Sequence, residues 1–466
     1  MWILLVIVSM SFGMPSQLLS EPPVEIGKFN FGGGLNLVAL PTDIADNESP
    51  DMCNCISYLD GGLDKRKGSE RYISQAVSSF PVTSLYRSYA SSGTFIKKAL
   101  LMASGSKIYA STKDVDMGWI VVSSNLYPSQ YWRWVTMNNQ AIGTGDALNE
   151  DAKVFDPIRA STLTNLFFHD GGSNTVIVRA KYPLVSKNYF ILGNVVLTST
   201  PSALTPGSTY YPNRIYYSLL AKPSSMTALR FIEIRADDGD QISGMGTMYD
   251  KVNIFKSQSI YELDFTILNL PSAGGDWFLN EIVSGFGLYA DKTLVNTGQF
   301  YIFGSLDGIR KWDGGRRSRL TVTEESRIIS WPINPLIQKL IRAGTYKNAF
   351  AKYYRRREWY ILSYEDPDKF PKGKNNSSIV YDIRLDRWFP FCNWLIGSME
   401  TMDGVSDNGE LLLGSSNDGY VDLADIEQKI DDSRKEIVLD TMDSTFTWRG
   451  STQNVTEVLE GSASLK

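Results

Sequence analysis

The chain has 466 residues, of which 12% are aromatic and 38 are glycine, and its formal net charge is −5. This length exceeds what one small core needs, so the chain divides into domains or closes into a repeat architecture. The mild acidic excess argues against a general nucleic-acid binder, because such proteins carry clustered positive charge.

The chain begins with an apolar run, MWILLVIVSM, and a proline-containing stretch leads from it to Lys28. No basic residue precedes the run, and its length is short for crossing a bilayer. Three interpretations stay open. The run is a signal peptide, or a segment that packs on the protein or on a partner, or the result of a start site placed upstream of a true start at Met14.

A hairpin pattern recurs along the chain at intervals of roughly 40–70 residues. In its first instance, Asp60-Gly61-Gly62 lies between residues 55–59 and 63–67. We predict a hairpin there because Asp-Gly between apolar runs is a strong hairpin signal. A weaker unit lies within residues 166–197. The clear later units pair 99–103 with 107–110, 135–144 with 153–156, 251–255 with 259–264, 300–303 with 309–312, 358–363 with 378–382, and 411–413 with 420–423.

A hairpin alone is marginally stable in water, so each must bury a face against its neighbours. Radial stacking does this and leaves only short edges. The sequence therefore predicts an all-β fold, an irregular β-propeller of six to eight blades with few short helices. A pair of β-sandwiches is the alternative. Helices are predicted at 334–342 and 423–435, and we expect strands near 37–40 and 437–439 to close the ring.

Four segments follow from this pattern. We expect an apolar segment and extended arm at 1–28, an N-terminal motif with the first hairpin at 29–72, propeller blades at 73–425, and C-terminal strands with a tail at 426–466.

The acidic residues that would suit glycoside hydrolysis lie in or beside polar turns. Asp is favoured in such turns because its carboxylate accepts hydrogen bonds from nearby backbone amides. The sequence also shows no convergent carboxylate pair of the kind that hydrolases use. We therefore expect Asp307-Gly308 and Asp418-Gly419 to form hairpin turns. The same interpretation applies to the remaining candidates, which are Asp313, Asp382 and Asp386.

Other chemistry has little support. His169 is the only histidine, and no nucleophile-elbow motif accompanies it, so we expect a structural role. The acidic stretch 237–240 lacks the ligand spacing of an EF-hand. The sequence thus predicts no enzyme, with no catalytic residue, no cofactor and no metal.

The three cysteines, Cys53, Cys55 and Cys392, are too few and too uneven for a disulfide framework. We expect buried or half-buried thiols in a reducing compartment, with Cys53 and Cys55 on one face of a strand. Basic clusters at 316–319 and 355–357 lie next to aromatic residues. They would contact a phosphate backbone or an acidic partner, or else be solvated strand ends.

Several segments, taken in order, carry a resemblance. A glycine-rich start is followed by a proline, an acidic step, an asparagine and a hairpin that ends in R-x-G. Downstream, RIYYS at 214–218, the blocks 232–263 and 287–312, and SSIVYDIRLDRW at 377–388 follow in order. The N-terminal residues of the pattern are Phe31, Gly34, Asn36, Pro41, Asp46, Glu48, Asn54, Gly62, Arg66 and Gly68, and the last block contains Asp382 and Trp388.

This set resembles the β-propeller proteins of tailed-phage particles, especially the tail nozzle, or DNA-stabilisation, proteins of short-tailed phages. The resemblance implies a structural virion protein that assembles in the host cytoplasm as a ring of copies, with a hexamer expected. It implies contacts with the portal or adaptor and other tail proteins, and viral DNA passing without sequence-specific binding. No membrane is expected for the main body.

Two other functions stay open. The chain would be a different virion propeller, in head–tail completion or receptor contact, or a secreted propeller enzyme acting on glycans.

Overall fold

The computed structural model describes residues 31–40, 42–58, 61–73, 76–93, 95–111, 118–146, 148–158, 162–169, 175–198, 209–226, 230–264, 277–314, 326–404, 407–426, 445–448 and 459–462. The apolar start of the chain lies outside these residues.

Six short strands precede the first blade. They are β1 (Gly34–Leu35), β2 (Glu48–Ser49), β3 (Met52–Cys53), β4 (Cys55–Ser57), β5 (Leu63–Lys65) and β6 (Gly68–Arg71).

The next strands form the first three blades. Blade 1 contains β7 (Val82–Ser92), β8 (Phe95–Ser104), β9 (Lys107–Ser111) and β10 (Ile120–Ser123). Blade 2 contains β11 (Trp132–Met137), β12 (Gln140–Gly145), β13 (Lys153–Phe155) and β14 (Thr164–Asn165). Blade 3 has five strands, β15 (Phe168–His169), β16 (Thr175–Ser186), β17 (Tyr189–Thr198), β18 (Thr209–Tyr217) and β19 (Phe231–Glu233).

Blades 4 to 6 have four strands each. Blade 4 contains β20 (Gly244–Met248), β21 (Lys251–Phe255), β22 (Ser259–Asp264) and β23 (Phe278–Ser284). Blade 5 contains β24 (Ala290–Asn296), β25 (Tyr301–Ser305), β26 (Gly308–Trp312) and β27 (Ser326–Ile328). Blade 6 contains β28 (Phe350–Tyr354), β29 (Trp359–Tyr364), β30 (Ser377–Asp382) and β31 (Arg387–Phe391).

Blade 7 combines the two ends of the propeller. It contains β32 (Ile396–Met402), β33 (Glu410–Ser415) and β34 (Val421–Ile426), and its fourth strand is β6 from the N-terminal region. Two further strands, β35 (Thr445–Trp448) and β36 (Leu459–Ser462), pair with each other and, through β35, with β3.

The seven sheets form a closed ring, which confirms the predicted β-propeller and gives it seven blades. The main inner strands of successive blades contact one another in order, from β7 through β11, β16, β20, β24 and β28 to β32, and β32 contacts β7. All seven units predicted after the first hairpin are blades, whereas the hairpin of β4 and β5 lies outside them.

The central strands of the blades are buried on both faces. In β33, Leu411 and Leu413 pack toward blade 6, while Leu412 packs toward blade 1. In β8, Leu101 packs toward blade 2 and Leu100 toward blade 7. Since side chains alternate between faces, a strand covered on both sides has a continuous apolar run in its sequence.

One predicted strand is itself a hairpin. Residues 135–144 contain the end of β11, a turn at Asn138 and Asn139, and most of β12. Both turn residues have positive φ, 51° and 63°. Asparagine tolerates this region well, and two consecutive positive φ values suit a tight two-residue hairpin.

An N-terminal strand closes the ring, as expected, but it is not one of the predicted segments. The strand that completes blade 7 is β6, with Ser69 opposite Ala424 and Arg71 opposite Asp422 in the antiparallel register. The propeller therefore begins at Gly68, ahead of the expected boundary at 73. Residues 37–40 lie outside the blades, where the amide of Leu37 donates to the carbonyl of Pro332 at 2.7 Å, and residues 437–439 lie outside the described part.

The helix predicted at 334–342 is confirmed as α1 (Asn334–Ala343), whose buried residues Ile337 and Leu340 pack between blades 5 and 6. The second predicted helix is wrong where the structure describes it, because Leu423 lies within β34. Short 3₁₀ helices occur at Ala236–Asp238, Trp331–Ile333 and Tyr346–Asn348. Among the described residues, no helix has the length and apolar character needed to cross a membrane.

Residues 31–67, here called the clasp, pack on the outer strand of blade 6. Strands β1, β3 and β4 all contact β31, and a disulfide joins Cys53 to Cys392 across 339 positions. The expectation of three plain thiols is therefore wrong. The number of cysteines could not reveal this disulfide, because it depends on a contact between the clasp and blade 6. Cys55 is the remaining thiol and is buried. It does not share a strand face with Cys53, since Asn54 between them has φ 54°.

The disulfide gives a first prediction. Cys392→Ser lowers the free energy of unfolding by about 2–4 kcal/mol, because the cross-link restricts the unfolded chain over a very long loop. Chemical denaturation with and without a thiol reductant measures this: reductant destabilises the parent chain and leaves Cys392→Ser unchanged.

Cys55→Ala is the matched control. It removes a buried thiol outside the disulfide, so its stability still falls on reduction. Three alkylatable thiols in the unreduced, denatured protein would contradict the pairing.

Candidate functional site

The first motif residues of the N-terminal pattern hold the clasp together. The Asn36 side-chain amide donates to Glu48 at 2.7 Å, and the Asn36 side-chain oxygen accepts from the backbone of Val38 at 3.0 Å. Gly34 has φ 77°, and a Cβ there would lie 3.1 Å from the carbonyl oxygen of Trp388. A side chain at position 34 would thus strain the backbone and crowd the contact of β1 with blade 6.

The asparagine and arginine of the pattern meet on blade 6. The side-chain oxygen of Asn54 accepts from Nε of Arg66 and from the amide of Cys392, each at 3.0 Å. The Arg66 guanidinium lies 4.9 Å from the ring centre of Trp394. Because Arg66 is buried, these contacts compensate for the lost hydration of its charge.

The other motif residues mark turns and strand ends. Asp46 lies in the turn that precedes β2. Gly62 follows Gly61, which has φ 82°, and its carbonyl accepts from the amide of Tyr58 at 2.9 Å. Gly68 is the first residue of β6 and pairs with Ile426.

Asp307 lies in the turn between β25 and β26, and Gly308 is the first residue of β26. A carboxylate oxygen of Asp307 accepts from Nε of Arg310 at 3.0 Å. Gly308 has φ 145°, and a Cβ there would lie 2.6 Å from the Ser330 hydroxyl. This hydroxyl accepts from the amide of Ile309 at 2.8 Å, so the turn is fixed against the connection to α1.

Asp418 and Gly419 lie between β33 and β34. The amide of Asp418 donates to the Ser415 hydroxyl at 3.2 Å. The amide of Gly419 donates to the carbonyl of Ser78 at 3.0 Å, and a Cβ at this glycine would lie 2.7 Å from that carbonyl oxygen. This turn therefore binds the segment that leads into blade 1.

Asp382 and Trp388 fix the outer hairpin of blade 6. Asp382 is 1% exposed, and it accepts from the indole of Trp359 at 2.9 Å and from the amide of Arg384 at 3.0 Å. The indole of Trp388 donates to the carbonyl of Ile329 in the connection that follows blade 5, at 2.8 Å.

Three acidic candidates thus lie in three blades. Asp307, Asp382 and Asp418 belong to blades 5, 6 and 7, and the structure does not combine them into one site. The side chain of His169 and residues 316–319 lie outside the described part. In the second basic cluster, residues 355–357, Arg357 binds Asp425 at 2.7 Å. Among the described residues, the structure shows no cluster of ligands suited to a metal ion.

The structure instead assembles charged residues on the propeller axis. Asp291 of blade 5 binds Nη2 of Arg133 in blade 2 and Nζ of Lys181 in blade 3, each at 2.9 Å. The Tyr182 hydroxyl donates to the same carboxylate oxygen at 3.1 Å. Because blades 2 and 5 are not neighbours, the pair of Arg133 and Asp291 crosses the axis.

The surroundings of Asp291 keep it charged. Burial alone would raise its pKa, but Arg133, Lys181 and Lys292 outweigh that effect and lower the pKa from 3.8 to about 2. The Arg133 guanidinium also lies 4.9 Å from the ring centre of Tyr131 and 4.8 Å from that of Tyr182. The arrangement is a largely buried ion cluster that joins three blades.

Two cavities lie along the axis. The larger, of about 660 Å³, is lined by the main inner strands of all seven blades, and the smaller, of about 510 Å³, lies toward the N-terminal ends of several of them. Tyr131, Lys292 and Phe350 line both, so the layer of these residues separates the two.

A second ion pair lies in the wall of the larger cavity. Nζ of Lys352 binds both oxygens of Glu400 at 2.9 Å. Burial raises the pKa of Glu400, and this effect outweighs the opposing effect of Lys352. We did not predict these axial charges from the sequence. The available signal was an isolated charge within an aromatic strand, such as Arg133 between Trp132 and Trp134.

Comparison with known proteins finds similarity among solved structures only. No protein-family model and no curated protein matches the chain. Among solved structures, it is similar to the Pan2 WD40 domain of Neurospora crassa, with 8% identity and a TM-score of 0.39 over 75% of this chain and 90% of that one. It is also similar to BBS1N in complex with ARL6DN, with 9% identity and a TM-score of 0.39 over 78% and 100% in the crystal soaked with lead. In the crystal soaked with mercury, the values are 10% and 0.40 over 77% and 96%.

The axial cluster gives a second prediction. Asp291→Asn lowers the free energy of unfolding by about 2–4 kcal/mol at neutral pH, because Arg133 and Lys181 lose their counter-charge. Since the folded pKa lies below the ordinary value, the carboxylate stabilises the fold above about pH 4, and this contribution disappears as the pH falls toward 2.

Denaturation across a pH series measures the effect. The difference between Asp291→Asn and the parent narrows below about pH 4. Asp237→Asn makes the same charge change at a side chain that is 83% exposed, and little effect is expected there. A deficit for Asp291→Asn that does not depend on pH would contradict the role of its charge.

Proposed function

We propose that this chain is a structural component of a tailed-phage particle, of the tail nozzle type, that forms a ring through which the genome passes. In this proposal it is not an enzyme. Its partners are further copies of itself, with a hexamer expected, the portal or adaptor and other tail proteins, and its location is the virion tail.

One observation supports the proposal most. The residues that carry the resemblance at the N-terminus belong to one structural element, the clasp. Asn36 bonds to Glu48 within it, while Gly34, Asn54 and Arg66 contact blade 6. We expect the same motif to build the same structural element in the proteins that it resembles, as a family of assembly proteins would require.

The axis of the propeller constrains the path of DNA. An ion pair between Arg133 and Asp291 crosses it, and Tyr131 and Phe350 form part of the layer between the two cavities. A genome channel would therefore lie at the centre of a ring of subunits rather than inside one propeller. The net charge of −5 suits a channel that does not retain DNA electrostatically.

Mass measurement and imaging test this function. Light scattering and negative-stain microscopy of the purified chain, alone and with the portal or adaptor complex, would show a closed homo-oligomeric ring. Proteomics of purified particles would find the chain in the virion. A chain that stays monomeric under all these conditions and is absent from particles would contradict the proposal.

Location separates the nozzle from the other virion roles. Antibody labelling of intact particles would mark the portal end of the tail for a nozzle, and the distal tip for a receptor-contacting propeller. A head–tail completion protein would remain with the heads when tails are removed.

Glycan hydrolysis is the second candidate, and Glu400 is the observation that favours it. This buried carboxyl lines the larger cavity together with Asp403, and its pKa is raised by burial. A general acid needs such a raised pKa, whereas Asp307 and Asp418 lie in turns. Hydrolysis of a glycan that is lost in Glu400→Gln and retained in Asp307→Asn would support an enzyme over a purely structural protein.

A further inference from the structure

We propose that the larger axial cavity binds a small anion with a carboxylate or phosphate group, and that Arg87 and Arg133 are its main ligands. The proposal is independent of the role in a phage particle, because it concerns the cavity of a single propeller.

The dimensions of the cavity suit a small molecule. Its volume of about 660 Å³ lies within the range of about 300–1,000 Å³ typical of small-molecule sites. Aromatic side chains, including Tyr86, Trp134 and Tyr182, form part of its wall. Such a wall accommodates the body of an organic anion while polar groups fix its charged end.

Basic side chains outnumber acidic ones in the wall by one. Four basic residues face three acidic ones; the basic residues are Arg87, Arg133, Lys292 and Lys352, and the acidic residues are Asp291, Glu400 and Asp403. Electrostatic attraction is stronger in such a partly desolvated space than in water.

Arg87 has hydrogen-bonding capacity to spare. It is 8% exposed, and its Nε lies 3.2 Å from Asp407. Asp407 also binds Nζ of Lys98 at 2.6 Å and the Tyr89 hydroxyl at 2.7 Å, so one carboxylate serves two cations. Within the described part of the chain, Nη1 of Arg87 is buried and lacks a hydrogen-bond partner.

Arg133 shows the same deficit. Its Nη2 binds Asp291, which also serves Lys181, whereas its Nη1 is buried and has no hydrogen-bond partner among the described residues. A buried donor left without a partner costs about 1–3 kcal/mol. Carboxylate and phosphate oxygens match the donor geometry of guanidinium, so an anion that accepts from both arginines would remove two such costs.

Titration calorimetry with two probes tests the proposal on the parent chain. Inorganic phosphate represents the phosphate class, and glucuronate represents an organic carboxylate. We expect saturable binding of at least one probe at one site per chain, and the probe that binds identifies the class. Absence of saturable binding by both probes up to about 10 mM would overturn the proposal.

Variants then locate the site. Arg87→Met is expected to weaken binding about tenfold. Asp407→Asn is expected to tighten it about threefold or more, because it removes a carboxylate that competes for Arg87. This gain of affinity distinguishes a binding role from loss of folding, which would weaken binding in both variants.

Arg310→Met is the matched control. Arg310 pairs with Asp307 and lies 4.1 Å from the ring centre of Phe286, but it does not line the cavity. Its substitution should leave the affinity unchanged. Equal losses in Arg87→Met and Arg310→Met would place the anion elsewhere and overturn the assignment. Weaker binding by an Asp407→Asn chain whose free energy of unfolding matches that of the parent would overturn it as well.

Discussion

The pairing of β6 with β34 is the interaction on which the rest of the structure depends. Each blade has two apolar faces, and only a closed ring covers all of them. If the joint between blades 7 and 1 opened, Leu412 on one side and Leu100 with Met102 on the other would become exposed to water. A strand from before the first blade closes this joint, so segments more than 300 positions apart must meet before the ring is complete.

Two other sets of contacts strengthen the same region. At the joint, Asp407 of blade 7 binds Arg87 and Lys98 of blade 1. Just ahead of β6, the clasp is anchored on blade 6 through the disulfide of Cys53 with Cys392. The closing strand is therefore attached to blade 6, through the clasp, as well as to blade 7. This arrangement limits fraying of an outer strand that has only four residues.

Local patterns revealed most of the fold. Apolar runs around Gly105, Gly308 and Gly419 predicted hairpins because strand periodicity and turn chemistry are encoded within a few residues. The turn at Asn138 and Asn139 was missed because Asn-Asn is a weaker hairpin signal than Asn-Gly or Asp-Gly. Counting units gave a range of six to eight blades, and the weak unit became blade 3, whereas the first hairpin lies outside the ring.

Contacts between distant segments could not be predicted from the sequence. The closing strand is short and polar, so nothing local distinguishes it from a loop. The disulfide depends on how the clasp docks. The ion cluster joins Arg133 to Asp291 from blades that are not neighbours, and a single charge within a strand reads equally as a solvated position. The candidate site therefore emerged only when the ring brought these residues to one axis.

Hydrogen exchange at the closing strand tests the central claim, that β6 completes the ring. Mass spectrometry of peptides covering Gly68–Arg71 and Val421–Ile426 would follow both strands of the joint. The account predicts that the paired amides of β6 exchange as slowly as those of β34, and that both become unprotected in the same opening event. Rapid exchange across β6 while β34 remains protected would show that this strand does not close the propeller.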